Sequence, residues 1–266
     1  MYLLNNGVEI PEIGFGVFGL GDATETCVER ALSCGYRLID TAADYGNEAE
    51  TGRAVRNSGI PRRKVFVTTK LWNDDMRRER QRQAFEESLE RLGMDYVDLY
   101  LIHWPVAGKY VESWHVLEDL YEEGLARAIG VCNFNQEQLE NLIKEARILP
   151  AVNQIEIHPR CGALSIRKFC GEHSILCEGW SPLGRGRFPR ECLKKIGERH
   201  GKSGAQTAIR WQVQQGLVPL PRSASPERIA ENFSVFDFEL SQEEMEEIGR
   251  LNREEHLGAV PEHFNF

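Results

Sequence analysis

From Tyr36 to Pro221 the chain repeats one unit, and that repeat limits the fold more than any other feature. Short apolar runs of strand character cover 36–40, 65–70, 97–103, 127–132, 151–156, 175–180 and 217–221. Segments of helical spacing separate them. Small polar residues with an acid or amide three positions on mark helix starts at Asp22 with Glu25, Asn47 with Glu50, Asn135 with Gln138, Ser203 with Gln206 and Ser241 with Glu244. Gly35, Gly59, Gly93 and Gly216 mark stops. Ser165 and Pro226 open shorter helices. Strands that alternate with helices pair in parallel through right-handed crossovers. Seven such units, with Phe233 to Phe238 as a weaker eighth strand, predict a closed (β/α)8 barrel. Leu3 to Pro11 reads as an N-terminal β-hairpin turning at Asn5-Asn6-Gly7. The tail from Arg253 to Phe266 reads as short and irregular. With no linker or break in composition, residues 1–266 read as one domain.

Bulk properties remove several functional classes. The net charge of −9 argues against nucleic acid as a partner. No apolar run is long enough to span a bilayer. The first ten residues lack the basic and apolar regions of a signal peptide. Seven cysteines, an odd number without a C-x-x-C pair, read as reduced thiols of a cytoplasmic protein, with no metal framework. An open dinucleotide-binding sheet would carry G-x-G-x-x-G after its first strand. None follows the run 36–40; Gly14, Gly16 and Gly19 read as wrongly spaced for it and precede that run, and so lie before the first expected barrel strand.

What remains is a pattern at the ends of three successive strands. The run 36–39 leads into Asp40, with Tyr45 five residues on; 65–69 leads into Lys70; 99–102 leads into His103. In a parallel barrel these ends share one face, where active sites are built. An acid, a phenol, an ammonium and an imidazole together make a proton-transfer site. A carbonyl that accepts a hydride needs a proton on its oxygen, and Tyr45 is the candidate acid. A free phenol has a pKa near 10, and a neighbouring ammonium lowers it. Lys70 is placed for that, with Asp40 as its counter-ion. His103 can orient the carbonyl oxygen or help relay the proton.

The runs Ile39-Asp40-Thr41-Ala42, Tyr45-Gly46-Asn47-Glu48, Thr69-Lys70-Leu71-Trp72-Asn73, Asp98 to Pro105, Asn153-Gln154-Ile155-Glu156 and Trp180-Ser181-Pro182-Leu183-Gly184 resemble the aldo-keto reductases. The resemblance covers nearly the whole chain. It is strongest to the short microbial members, the diketogluconate and methylglyoxal reductases and the protozoal prostaglandin F synthase-like enzymes. It implies a TIM barrel that binds extended NADPH without a Rossmann motif, and the transfer of its pro-R hydride to an aldehyde or α-dicarbonyl.

The resemblance also implies cofactor contacts. Trp180 would stack on the nicotinamide. Asn133 and Gln154 would bond its carboxamide, beside Cys132, which stands where many relatives have Ser and is a weaker donor. Ser181, Leu183 and Arg185, with Arg187, follow in the loop toward the pyrophosphate. Leu220-Pro221-Arg222-Ser223 resembles the family's Ile-Pro-Lys-Ser, and Arg228-Ile229-Ala230-Glu231-Asn232 its Arg-Ile-x-Glu-Asn. Arg222, Ser223 and Arg228 would grip the 2′-phosphate, with Glu231 and Asn232 alongside and a helix N-terminus adding free N–H groups. Phe18, Trp72, His103 and Trp104 would ring a small, mostly apolar substrate mouth. The expected activity is NADPH-dependent carbonyl reduction by a monomer. The alternative is an NADPH-binding regulatory or sensor subunit with little turnover.

Overall fold

A computed structural model describes residues 1–186 and 191–259. Its strands are β1 (Tyr2–Leu3), β2 (Glu9–Ile10), β3 (Phe15–Gly16), β4 (Leu38–Asp40), β5 (Phe66–Leu71), β6 (Leu99–Ile102), β7 (Ile129–Cys132), β8 (Val152–Glu156), β9 (Leu176–Trp180) and β10 (Val218–Leu220). Its helices are α1 (Thr24–Cys34), α2 (Glu48–Asn57), α3 (Asn73–Arg77), α4 (Gln81–Leu92), α5 (Tyr110–Glu122), α6 (Gln136–Glu145), α7 (Leu164–Glu172), α8 (Glu191–Arg199), α9 (Gly204–Val213), α10 (Pro226–Phe233) and α11 (Gln242–Gly249).

Strands β3 to β10 form one eight-stranded sheet in chain order, every neighbour parallel. Two further bonds close the ring: Gly14 N donates to Pro219 O at 3.0 Å and Gly16 N to Pro221 O at 3.1 Å. The structure corrects the expected eighth strand. It is Phe15–Gly16, ahead of the first helix, and not Phe233 to Phe238, where α10 ends and irregular chain follows. A two-residue strand carries no periodicity, so pattern alone cannot show it. Gly16 therefore lies within the first barrel strand. Gly14, Gly16 and Gly19 do have G-x-G-x-x-G spacing, but two of their N–H groups are spent closing the ring.

Side-chain alternation splits the strands between two cores. On β6, Leu99 and Leu101 face the barrel interior with Leu38, Phe66, Val152 and Val218. Tyr100 and Ile102 join Ile39 and Val67 in the layer beneath the helices. Leu4 and Ile10 of the β1–β2 hairpin also pack into the interior cluster. Asn5 and Asn6 tie the hairpin to Pro150 O and Arg127 O, before β8 and β7 begin. The hairpin thus plugs the end opposite the site.

Three expected capping boxes form, at Asn135 with Gln138, Ser203 with Gln206 and Ser241 with Glu244. Two do not. Helix α1 starts after a 3-10 turn with no side-chain cap. Asn47 precedes α2 but spends its side chain on Thr41 Oγ1, Val17 O and Thr24 Oγ1. That network ties the β4 loop, the loop after β3 and α1 together beside Tyr45. A Cβ on Gly52 would sit 2.0 Å from Leu92 O, so only glycine lets α2 and α4 pack this closely.

Candidate active site

The inward positions of the strands end in polar side chains. Period-2 alternation that places Leu38 and Phe66 inside also places Asp40 and Lys70 inside, two and four residues on. Lys70 has no solvent exposure. Its ammonium has three donors, and all three are used. They reach Asp40 Oδ1 at 2.7 Å, Thr41 O at 2.9 Å and Tyr45 Oη at 3.3 Å. Burial by itself disfavours the ammonium. The charge and hydrogen bond of Asp40, together with the neighbouring Tyr45 and Cys132, outweigh it and hold Lys70 above its ordinary pKa.

Tyr45 closes a short 3-10 turn (Ala43–Tyr45) that follows β4, and Gly46 in the left-handed region leads into α2. Burial raises the phenol above its ordinary value, while Lys70 pulls in the other direction. The structure corrects the expected net lowering: burial wins, so the resting hydroxyl keeps its proton. His103 follows β6 with its ring edge-on to Tyr45 at 5.6 Å and to Trp72 at 5.1 Å. Burial, then the Lys70 charge, push its imidazole well below the usual range, so it is neutral. Its buried Nδ1 has no hydrogen-bond partner. Phe18, 59% exposed, packs edge-on against Tyr45 at 5.0 Å. The expected catalytic residues therefore converge, with Phe18 and Trp72 at the rim. Trp104 is nearly buried beside His103.

A second group lies across β7, β8 and β9. Asn133 takes a left-handed backbone, φ 63°. Its Nδ2 donates to His103 O at 3.1 Å and contacts Cys132 Sγ at 3.1 Å, while its Oδ1 accepts from Trp180 Nε1 at 2.9 Å. Gln154 Nε2 donates to Asp40 Oδ2 and to Glu178 Oε2, each at 2.8 Å. Cys132 Sγ lies 3.8 Å from Gln154 Oε1, and burial pushes the thiol up. Ser181 Oγ accepts from Arg185 Nε at 3.5 Å, and Leu183 packs against the core beneath. Arg187 lies outside the described residues.

A cavity of about 690 Å³ opens beside Asn133 and Trp180, walled also by Ile155, Leu164, Glu254 and His256. Tyr45 and Lys70 are not in its walls. The tail forms one side because Glu156 holds it: its carboxylate accepts from Leu257 N at 3.0 Å and Gly258 N at 3.2 Å.

The third group follows β10. Arg222 Nη1 donates to Phe18 O at 2.9 Å and Gly19 O at 3.3 Å, with its side chain exposed. Ser223 Oγ accepts from Ser225 N at 3.0 Å, and Ser225 Oγ caps α10. Arg228 is exposed on the first turn of α10, Glu231 is half-buried and Asn232 is buried. A half-buried indole, a Gln carbonyl clear of the carboxylates and two exposed guanidinium groups fit the parts of a phosphorylated dinucleotide. Sequence reasoning missed Glu178, a fully buried acid whose signal was a charge within a strand covered on both faces.

The sequence pattern of the Aldo/keto reductase family matches residues 12–253. The chain belongs to that family. It is 48% identical over 267 residues to the glyoxal reductase of Bacillus subtilis, covering 99% of this chain and 96% of that one. It is 43% identical to methylglyoxal reductase DkgA of Escherichia coli K12, covering 98% and 96%. The crystal structure of MGS-M4, an aldo-keto reductase from a Medee basin deep-sea metagenome library, superposes with a TM-score of 0.97 at 41% identity over all of both chains. A Bombyx mori aldo-keto reductase in complex with NADP gives 0.92 at 34% identity, covering 98% of this chain and 95% of that one. This member is thus an NADP-dependent oxidoreductase of the carbonyl-reducing type. Among the described residues, no helix is long and apolar enough to cross a membrane.

Proposed function

We propose that this enzyme reduces small aldehydes and α-dicarbonyls of the glyoxal and methylglyoxal kind with NADPH, Tyr45 being the general acid. The observation that carries the reading is the single buried ammonium of Lys70, bonded at once to Asp40 and to the Tyr45 hydroxyl. Bound NADPH supplies the hydride to the carbonyl carbon. Tyr45 gives its proton to the carbonyl oxygen. The phenolate left behind sits against Lys70, which stabilises it until solvent returns a proton. Neutral His103 can hydrogen-bond the carbonyl oxygen without competing as an acid. Burial keeps the phenol protonated in the resting enzyme, the state that reduction requires.

Asn133, Gln154 and Trp180 would hold the nicotinamide, and Ser181, Leu183 and Arg185 the pyrophosphate side. Arg222, Ser223 and Arg228 would hold the 2′-phosphate. Phe18, Trp72 and Trp104 would bound the substrate mouth. The chain would act as one domain, a cytoplasmic monomer. Glyoxal and methylglyoxal are proposed because relatives at 48% and 43% identity carry those names. The test is NADPH oxidation by the purified protein over a carbonyl panel. Turnover of α-dicarbonyls is expected; cofactor binding without turnover on any carbonyl would instead favour the sensor reading.

A further inference from the structure

Glu178 is a fully buried acid that the reaction above does not use. It lies on β9 between Leu176 and Trp180, whose side chains both pack on the interior cluster. The register sets it level with Gln154 on β8 and Val218 on β10, and Gln154 level with Cys132 on β7. Its Oε2 accepts from Gln154 Nε2 at 2.8 Å, and its Oε1 has no hydrogen-bond partner. The same nitrogen donates to Asp40 Oδ2 at 2.8 Å. An amide nitrogen carries two hydrogens. One goes to each acid, so the amide oxygen must face away from both, toward Cys132.

Charge balance follows from the same geometry. The titratable groups facing Glu178 are Asp40 from β4, Lys70 from β5 and Cys132 from β7; its neighbour on β10 is apolar Val218. Lys70 spends its donors on Asp40, Thr41 and Tyr45, and none on Glu178. Two carboxylates bridged by one amide, with one ammonium between them, repel strongly away from water. Burial, and then the charge of Asp40, push Glu178 up to about 8.

We propose that Glu178 is a positioning residue: it takes one Gln154 N–H, which presents the Gln154 oxygen to the nicotinamide carboxamide and leaves the Lys70 charge to Asp40 and Tyr45. This rests on the reading of Gln154 as the carboxamide contact and Tyr45 as the acid. Loss of the Glu178 proton places a second anion beside Lys70. The phenol then becomes a poorer acid, and reduction slows above the pH of that loss.

The test uses wild type, Glu178→Gln and Glu178→Leu. Infrared spectra of the cofactor-free protein at pH 7 should show the carbonyl stretch of a protonated carboxyl in wild type and its loss in Glu178→Gln. Glu178→Gln should keep kcat near neutral pH and lose the alkaline limb that wild type shows near pH 8. Glu178→Leu frees one Gln154 N–H and should raise the Kd for NADPH about tenfold by fluorescence titration, the scale of one lost hydrogen bond. A missing carboxyl band, or an alkaline limb retained in Glu178→Gln, overturns the proposal, and both readings stand if Glu178→Leu does not fold. If wild type reduces no carbonyl, the proposed function fails, while the infrared band still decides whether Glu178 is neutral.

Discussion

Lys70 Nζ lies 3.3 Å from Tyr45 Oη and 2.7 Å from Asp40 Oδ1, one buried cation shared by a phenol and a carboxyl group. Removing only the hydroxyl leaves ring, pocket and Lys70 in place. Tyr45→Phe should therefore cut the reduction rate by about 10²–10⁴, the usual contribution of a positioned general acid. Its NADPH affinity, read by fluorescence quenching, should stay near wild type. Retained turnover would contradict the role of Tyr45.

Lys70→Met tests the cation itself. Asp40 would keep its bond from Gln154 but lose its only ion pair among the described residues. Stripping one partner from a buried ion pair costs about 3–5 kcal/mol. Calorimetry should show that loss in the variant without cofactor, and Lys70→Met, Asp40→Asn should recover part of it. A double variant no more stable than the single one would show that Asp40 is not the group left in distress.

Arg228 separates the two cofactors. Its exposed guanidinium on the first turn of α10 should contact the 2′-phosphate, which NADH lacks. Arg228→Ala should weaken NADPH by roughly ten- to a hundredfold, the scale of one or two charge-assisted bonds, and leave NADH nearly unchanged. Equal losses for both would remove Arg228 from that role.

Glu178 sets a sign for stability against pH. Its folded pKa of about 8 lies above the value near 4.3 of a free Glu. Between those values the native state holds a proton that the unfolded chain releases, so stability falls as pH rises through that window and is fullest below it. Glu178→Gln removes the titrating group. Its melting temperature should fall less than that of wild type from pH 5 to pH 8.5; parallel curves would show that Glu178 ionises normally.

Gly258 tests the docked tail. A Cβ there would lie 2.4 Å from the Trp180 ring, which cannot move without leaving Asn133. Gly258→Val should displace the tail, lower stability by about 1–3 kcal/mol as overpacking does, and shift Trp180 emission. Unchanged emission would show that the tail does not press on that ring.

The convergence of Asp40, Tyr45, Lys70 and His103 was legible because four reactive side chains follow apolar runs, and strand ends of a parallel barrel share one face. Capping boxes were legible where the side chain had no better partner, as at Ser203. They failed at Asn47, whose amide is drawn into tertiary bonds that local spacing cannot show. The strand Phe15–Gly16 is too short to have a period, so its place in the ring was visible only in three dimensions. Glu178 was overlooked because an isolated acid in a strand reads as solvated. Only register shows it facing Gln154 in the interior.

The joint between Phe15–Gly16 and Val218–Leu220 is stitched in one direction only, since Pro219 and Pro221 have no N–H to return. Arg222 reaches over that joint to the loop at Phe18 and Gly19. A dinucleotide phosphate seated on Arg222 would act as a clasp on the ring it occupies. Deuterium uptake at the Gly14 and Gly16 amides would then slow on NADP binding, and the cofactor would tighten the barrel as well as serve its chemistry.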